Sequence, residues 1–463
     1  MSRNFIAPEW YHRVLLSSRR NAILATLAIA GIFFGFAGDG LRAYFTPDEM
    51  MNLYGAWFRP LAESRRPLGD LIYRALFGAA GLHPLPYRVV CYALLSANLG
   101  LVYLLCRKLS GSREVGALAC LLAAYHAHLA DLYYSSDTLY DLLYFFFYFS
   151  ALLLYMAVRR RPWRWQIVVL ALYILALASK EMAATLPVFL VLYDLIYLPP
   201  ARNRSSVIGW VAGEVKRLWP FVLVTLALIV LKTVGPFRVI GNSDFLPHFS
   251  WEFLINNWRH YAFDLFYGAI VFTPGRVILL WTVLLALPVV LRKRDLAFAA
   301  ALILIGILPV ALIAERGFYA IYLTLPGWYL FAAESLLSAR DRLLPAEFPG
   351  RPAVVFVLVA ACLIPLHRRQ KPKGKTWVAE AHESVRGTLE PLRQFSLPRG
   401  GRVLILNDPF PTDDHIVTFM FRLTFRDEEI HVKRAKTPFT PLPGETPYDC
   451  VFTYNNWLLT KGE

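Results

Sequence analysis

Long apolar segments alternate with short polar connections along most of the chain. Uncharged stretches of about 15–20 residues recur, close to the length that a helix needs to cross a bilayer. The pattern predicts a polytopic α-helical membrane protein with about eleven transmembrane helices. The predicted spans are 21–38, 89–106, 115–132, 142–158, 165–178, 183–198, 218–234, 277–291, 296–314, 318–337 and 353–366.

Composition agrees with this pattern. Of the 463 residues, 57% are hydrophobic and only 17% are charged, whereas a soluble domain has about 25% charged residues. The net charge of +15 would suggest nucleic acid as the partner of a soluble protein. Here the basic residues form short clusters between apolar runs, so we expect a membrane-lipid partner and no nucleic acid.

The basic clusters predict the orientation in the membrane, because connections rich in lysine and arginine remain in the cytoplasm. Every second connection is basic, and an odd number of spans places the C-terminus outside. The basic run 367–375 would then face outward, against the rule. The residues before the first span that predict a cytoplasmic N-terminus are Arg3, Arg13, Arg19 and Arg20.

The connections that are predicted to lie outside include one of 50 residues, 39–88, with amphipathic stretches at 50–61 and 68–82. Helices of this kind lie on the membrane surface, and we interpret the aromatic-rich segment 251–272 in the same way. The last hundred residues change character, with short apolar runs after Gly400 and Gly401. We therefore expect a transmembrane domain at 1–366 and a small extracytoplasmic α/β domain at 367–463.

Two adjacent carboxylates, Asp48 and Glu49, follow directly on the first predicted span. Most surface Asp-Glu pairs belong to solvated loops. A carboxylate just outside the hydrocarbon, however, can remain ionised and meet a lipid-borne substrate. Sugar transfer from a lipid phosphate needs a general base that deprotonates an acceptor hydroxyl. We therefore consider Asp48 and Glu49 as candidate catalytic residues.

Cations in the predicted outer loops could stabilise a departing phosphate. Arg59 and Arg66 lie in the first loop, and arginine presents a planar fork that matches phosphate oxygens. Each could equally extend toward lipid head groups. Lys180 and Glu181 lie between two short predicted spans. They form either an interfacial ion pair or a site in which Lys180 neutralises a donor phosphate and Glu181 orients it.

A similar segment begins the predicted span 318–337. Arg316 is followed by Tyr319 and Tyr322, which are about one helical turn apart. A cation with two phenols could hold phosphate or sugar hydroxyls, and the alternative is an interfacial aromatic belt.

Histidines near the end of the predicted span 115–132 raise the question of a metal. His126, His128 and Asp131 precede Asp137 and Asp141, and such side chains can bind zinc or manganese. The two histidines, however, are two residues apart and would not share a helix face. We therefore assign no metal ligands, and a divalent cation, magnesium or manganese, is the alternative.

Together these segments resemble the GT-C glycosyltransferases, in particular the protein O-mannosyltransferases, including those that carry tetratricopeptide repeats, and their bacterial relatives. The similar segments are 45–53, 64–88, 179–195 and 315–325. The resemblance implies an inverting transferase with Asp48 as base and a polyprenyl-phosphate sugar as donor. It implies that Arg66, Lys180 and Arg316 contact the phosphate, in a bacterial inner membrane with the site facing the periplasm. The tail shows no repeat of about 34 residues, so the acceptor could be a protein, a lipid or a glycan.

Two other functions remain open. A transporter of lipid-linked sugars would show repeated halves and charges at mid-membrane, whereas here the charges concentrate near the predicted outer interface. A polysaccharide polymerase or ligase with a lipid-pyrophosphate donor would depend on late outer-loop residues, here Arg259, His260 and Arg276.

Overall fold

The computed structural model of the protein describes residues 9–159, 161–201, 203–233, 246–345, 348, 350–411, 415–440, 446–455 and 458–461. Arg3 and residues 234–245 lie outside these residues, and residue 234 is the last one of the predicted span 218–234.

The described chain is mainly helical. Its α-helices are α1 (Glu9–Ala37), α2 (Pro47–Phe58), α3 (Pro67–Ala80), α4 (Pro84–Ser110), α5 (Arg113–Ala123), α6 (Ala130–Tyr134), α7 (Leu139–Val158), α8 (Arg164–Ser179), α9 (Leu186–Tyr197), α10 (Arg204–Thr233), α11 (Trp251–Leu265), α12 (Pro274–Leu291), α13 (Arg294–Gly306), α14 (Leu308–Ala311), α15 (Leu325–Leu343), α16 (Arg351–Leu392) and α17 (Ile416–Phe425). Short 3₁₀ segments span Gly38–Arg42, Leu61–Glu63, Ala127–Leu129, Glu181–Thr185 and Phe318–Thr324.

The prediction of eleven spans is not confirmed. Among the described residues, six helices are long and apolar enough to cross a membrane, or seven if the bent pair α5 and α6 counts as one span. Several other predicted spans are broken where proline interrupts helical hydrogen bonding. In 318–337 a 3₁₀ segment precedes Pro326 at the start of α15, and Pro187 has the same position in α9. The protein is nevertheless an integral membrane protein.

The helices place two different sets of charges at their opposite ends. Asp141 lies in the first turn of α7, and Arg159 follows its last residue. Eighteen residues of helix separate them by about 27 Å, close to the thickness of the hydrocarbon core. At the Arg159 end, its Nε lies 2.6 Å from Asp194 of α9 and its Nη2 lies 2.8 Å from Glu214 of α10. Basic connections thus meet at the end opposite Asp141.

The first long loop forms two short helices, α2 and α3, which pack against each other. This agrees with the amphipathic stretches expected at 50–61 and 68–82. Helix α11 has 15 residues, too few to cross a bilayer as a helix, which needs about 20.

The C-terminal residues form a four-stranded sheet in the order β2-β1-β3-β4. Strand β1 (Arg402–Leu406) pairs in parallel with both β2 (His431–Ala435) and β3 (Cys450–Asn455), and β4 (Leu458–Lys461) is antiparallel to β3. Helix α17 connects β1 to β2. The domain boundary expected between residues 366 and 367 falls inside α16, which is one continuous helix of 42 residues.

The tail docks on the first loop. The ring of Tyr54 in α2 stacks on Phe419 of α17, with centroids 4.2 Å apart. Nη1 of Arg422 donates to the Tyr54 hydroxyl at 2.9 Å, and the guanidinium of Arg426 lies 5.6 Å from the ring centre of Trp57. The tail and the first loop therefore lie on the same side of the membrane.

The basic run 367–375, which breaks the predicted charge rule, has partners within the fold. Lys371 and Lys375 lie in α16 and reach Asp39, at 3.1 and 2.7 Å from its carboxylate oxygens. The ring of His367 is buried between Phe36 and Tyr125, at 5.3 and 5.0 Å between centroids. These basic residues thus pack and form ion pairs at the end of α1. Their positive charge is therefore not a signal of membrane topology.

Candidate active site

A buried ion pair fixes the start of α2. The carboxylate of Glu49 accepts from both terminal nitrogens of Arg88, at 2.8 and 3.0 Å, and both side chains are 0% exposed. Arg88 also donates to the backbone carbonyls of Ala43 and Tyr44. Because arginine forms two parallel hydrogen bonds to a carboxylate, this pair fixes orientation as well as distance. The entry to the first loop is therefore held against α4.

The same carboxylate also joins α2 to the segment before α7. Glu49 accepts from the backbone N–H of Ser136 at 2.8 Å and from its hydroxyl. The backbone N–H of Thr46 donates to Glu49 at 2.7 Å, which completes one half of a capping box. Burial opposes ionisation of Glu49, but the charge of Arg88 and these hydrogen bonds hold its pKa below the usual value of 4.5. Glu49 is thus enclosed by protein donors.

Asp48, in contrast, is exposed in the same helical turn. It lies close enough to Asp131 and Asp137 for its charge to act on both. Its position in the first turn also places it where the helix dipole favours a negative charge. The ion pair of Glu49 therefore orients the turn that carries Asp48 toward two further carboxylates.

These further carboxylates are poorly solvated. Oδ1 of Asp131 and Oδ1 of Asp137 are buried and have no hydrogen-bond partner among the described residues. Burial first, then the charges of Asp131 and Glu49, raises the pKa of Asp137 well above its usual value. The site therefore has carboxyl groups in different environments, as acid–base sites do.

Lys180 brings a cation to this cluster. Its Nζ lies 2.6 Å from Asp141, and both side chains are mostly buried, at 12% and 4% exposed. The ammonium also faces the rings of Tyr144 and Tyr319, at 5.8 and 5.4 Å from their centres. An ion pair and two aromatic faces thus hold Lys180 in one place.

Glu181 contacts Arg66 and not its neighbour Lys180. Nη2 of Arg66 lies 3.2 Å from Glu181, and its guanidinium lies 5.2 Å from the centre of the Tyr140 ring. Tyr140 in turn donates to Asp70 of α3 at 2.6 Å. The first loop and the segment before α9 therefore meet through Arg66, although 115 residues separate the two charges in sequence.

The segment before α15, which carries Arg316 and Gly317, also approaches the carboxylate cluster. A Cβ added at Gly317 would lie 3.6 Å from Oδ2 of Asp131 and 2.8 Å from the Tyr319 ring. The backbone next to Arg316 therefore passes close to the carboxylate cluster, at a point that only glycine accommodates without a shift. The structure thus brings Asp48, Arg66, Lys180, Glu181, Arg316 and Tyr319 to one region.

Two candidate residues lie elsewhere. Arg59 follows the last residue of α2 and is exposed, about 16 Å along the helix from Asp48. Tyr322 packs on Phe145 with ring centroids 4.4 Å apart, and its hydroxyl lies 3.5 Å from Asn98. Arg59 therefore does not lie at the carboxylate cluster. Tyr322 packs against the core, about one turn after Tyr319.

The histidines are used in packing. The ring of His126 stacks between Tyr267 and Phe318, at 4.2 and 4.7 Å between centroids, and Nδ1 of His128 lies 3.2 Å from Asp264. No group of three or more His, Cys, Asp or Glu suited to a metal occurs in the described part of the chain. A divalent cation remains a prediction that these contacts do not support.

Arg88 and Ser136 are site residues that sequence reasoning missed. A signal for Arg88 was present, because an arginine at the edge of an apolar run needs a partner, and a carboxylate in the same loop is the nearest choice. In the sequence, Asp131, Asp137 and Asp141 stand out only as candidate metal ligands. Their spacing gave no indication that Asp48 lies beside them.

Comparison with known proteins finds two solved structures with a similar fold. The solved structure of ArnT from Cupriavidus metallidurans bound to undecaprenyl phosphate has 16% sequence identity and a TM-score of 0.53, and the match covers 95% of this chain and 97% of that one. ArnT from the same organism in the apo state has 15% identity and a TM-score of 0.50, with 90% and 86% covered. No protein-family profile and no curated protein sequence matches. The likeness establishes the fold, and it does not support the O-mannosyltransferase subtype.

Proposed function

We propose that the protein is a membrane glycosyltransferase that moves a sugar from a polyprenyl-phosphate donor to a hydroxyl acceptor. The observation that carries the proposal is the cluster at one end of the helices. There an exposed carboxylate, Asp48, lies near two buried ones, and cations held by Asp141 and Glu181 lie in the same region. The shared fold supports it, since one ArnT structure contains undecaprenyl phosphate.

In this proposal Asp48 is the general base. It takes the proton of the acceptor hydroxyl, whose oxygen attacks the anomeric carbon of the donor sugar. The bond from that carbon to the phosphate oxygen breaks, its electron pair leaves with the lipid phosphate, and the anomeric centre is inverted. The enclosed Glu49 does not act on substrate and positions Asp48 through α2.

The cations stabilise the leaving phosphate. Lys180 and Arg66 each have one carboxylate partner, at 2.6 and 3.2 Å, which fixes their positions before the donor binds. Preorganised charges of this kind favour a transition state because they do not need to reorient during reaction. We assign Arg316 and Tyr319, on the segment beside Asp131, to the phosphate and the sugar hydroxyls.

A groove between α1 and α16 offers a place for the prenyl chain. It has a volume of about 610 Å³, its floor includes Gly31 and Gly35, and Arg368 and Lys371 lie among its lining residues. Added Cβ atoms at Gly31 and Gly35 would meet nothing within 4 Å. An apolar groove with cations suits a long hydrocarbon chain that carries a phosphate.

The polymerase alternative receives less support from the structure. Arg259 donates to the carbonyl of Phe272 at 2.7 Å, and Arg276 donates to the carbonyl of Val271 at 2.6 Å. Both guanidinium groups therefore stabilise the turn between α11 and α12. His260 lies 3.0 Å from Glu315. The two arginines thus have local backbone partners, and His260 has a carboxylate partner in the segment before α15.

The function is tested with purified protein in liposomes that contain a polyprenyl-phosphate sugar labelled in the sugar. We expect the label to appear in a new glycosidic bond to a hydroxyl acceptor, with release of polyprenyl phosphate. Movement of intact donor across the bilayer without a new bond would instead establish a transporter. Protein, lipid and glycan acceptors are offered separately. A water-soluble acceptor enclosed in the lumen or added outside identifies the side on which transfer occurs, which we expect to be the periplasmic face of a bacterial inner membrane.

A further inference from the structure

The C-terminal sheet contains a cavity of about 410 Å³ beneath α17. His415, Thr418, Phe419 and Arg422 line one side of it, and their spacing of three and four residues places them on one face of the helix. The first residues of β1 and β2 line the other side. This cavity is separate from the carboxylate cluster.

The charge of the lining is strongly one-sided. Arg402, Arg422 and Lys433 contribute three cations, His415 and His431 add two imidazoles, and none of the described lining residues is Asp or Glu. Nε of Arg402 is buried without a hydrogen-bond partner among the described residues. A buried donor of this kind is costly unless a ligand or water accepts from it.

Aromatic rings complete the cavity. Tyr448 lies in the lining, with the Arg402 guanidinium 5.6 Å from its ring centre, and Phe419 lies on the opposite side. An arginine matches phosphate oxygens in two-pronged geometry, and an aromatic ring offers a flat apolar surface to a sugar ring. The combination fits an anion attached to a saccharide better than a free inorganic ion.

The cavity lies next to α2, the helix that carries Asp48. Phe419 and Arg422, which line it, also contact Tyr54 of α2. Tyr54 lies about 9 Å along that helix from Asp48. We propose that the cavity binds the phosphate group of a phosphorylated saccharide and so anchors an anionic glycan acceptor whose hydroxyl reaches Asp48. The acceptor role rests on the proposed function, whereas the binding itself does not.

The test is calorimetric titration of the full-length protein in detergent at low salt, with glucose 6-phosphate, inorganic phosphate and glucose as probes. We expect saturable binding of glucose 6-phosphate, weaker binding of phosphate and none of glucose. Arg402→Gln should weaken glucose 6-phosphate binding about tenfold or more. The matched control is Arg399→Gln, which removes the same charge three residues away at an 85% exposed side chain, and its affinity should equal that of the wild type.

Unchanged affinity in Arg402→Gln, or no binding of glucose 6-phosphate to the wild type, would overturn the proposal. If inorganic phosphate bound as tightly as glucose 6-phosphate, the cavity would not recognise the saccharide. If glucose bound as tightly, the cavity would not recognise the phosphate group. If Arg402→Gln does not fold, Lys433→Gln replaces it with the same expectation. Asp48→Asn should bind glucose 6-phosphate normally, so a failure of the transferase proposal is distinguishable from a failure of this one.

Discussion

Replacement of Glu49 by glutamine should destabilise the protein strongly. The substitution keeps the shape of the side chain but leaves the guanidinium of Arg88 without its counter-charge at a position that is 0% exposed. Loss of one partner of a buried ion pair costs about 3–5 kcal/mol. The backbone N–H groups of Thr46 and Ser136 donate to this carboxylate. In the variant they would donate to a neutral amide oxygen, which is a weaker acceptor.

The assay is the free energy of unfolding in mixed micelles, measured by SDS titration. Glu63→Gln, in the same loop but exposed, is the matched control and should unfold as the wild type does. In a double-mutant cycle, Glu49→Gln with Arg88→Met should be less destabilised than the sum of the single variants, because no unpaired charge remains. A Glu49→Gln variant as stable as the control would refute the structural role of this pair.

The pH dependence follows from the same pair. The pKa of Glu49 is held below 4.5 in the folded protein, so its carboxylate contributes stability above the unfolded pKa, and this contribution is lost as pH falls through the folded value. The wild type should therefore lose more stability on acidification below about pH 4.5 than the double variant, which lacks this carboxylate. Equal acid sensitivity of the two proteins would contradict the assignment.

Further predictions concern the neighbouring carboxyl group and the groove. Burial raises the pKa of Asp137, so the folded protein loses stability as pH rises above the ordinary value of 3.8; Asp137→Asn should be more stable than the wild type at pH 7 and equal to it near pH 3, as measured by unfolding. Gly31→Leu should fill the groove between α1 and α16 and weaken binding of fluorescent polyprenyl phosphate about tenfold. Gly209→Leu, at an equally open glycine of α10, should bind as the wild type does, and equal affinity of both variants would exclude the groove.

The membrane class depends on a local signal, because apolar length indicates a span. The position of Asp48 after the first span predicts a place near the head groups, and this stays a prediction. The number of spans could not be predicted in the same way. Pro187 and Pro326 begin helices inside predicted spans, and whether a proline breaks a helix there depends on packing around it.

The partners of the site residues depend on contacts across long sequence distances. Arg66 meets Glu181 and Lys180 meets Asp141, whereas adjacency in sequence suggested a pair between Lys180 and Glu181. Glu49 and Asp48 have opposite environments one residue apart, since successive positions of a helix point in directions about 100° apart. Composition and spacing do not determine whether Asp48 or Glu49 faces Arg88. The packing of the folded chain determines it.

The most direct test of the central claim is the rate of sugar transfer by Asp48→Asn, measured with a labelled polyprenyl-phosphate donor and each acceptor class. We expect the rate to fall roughly 100-fold or more, as loss of a general base does. The unfolding free energy should equal that of the wild type, in contrast to Glu49→Gln. Transfer at the wild-type rate by a folded Asp48→Asn protein would contradict the account.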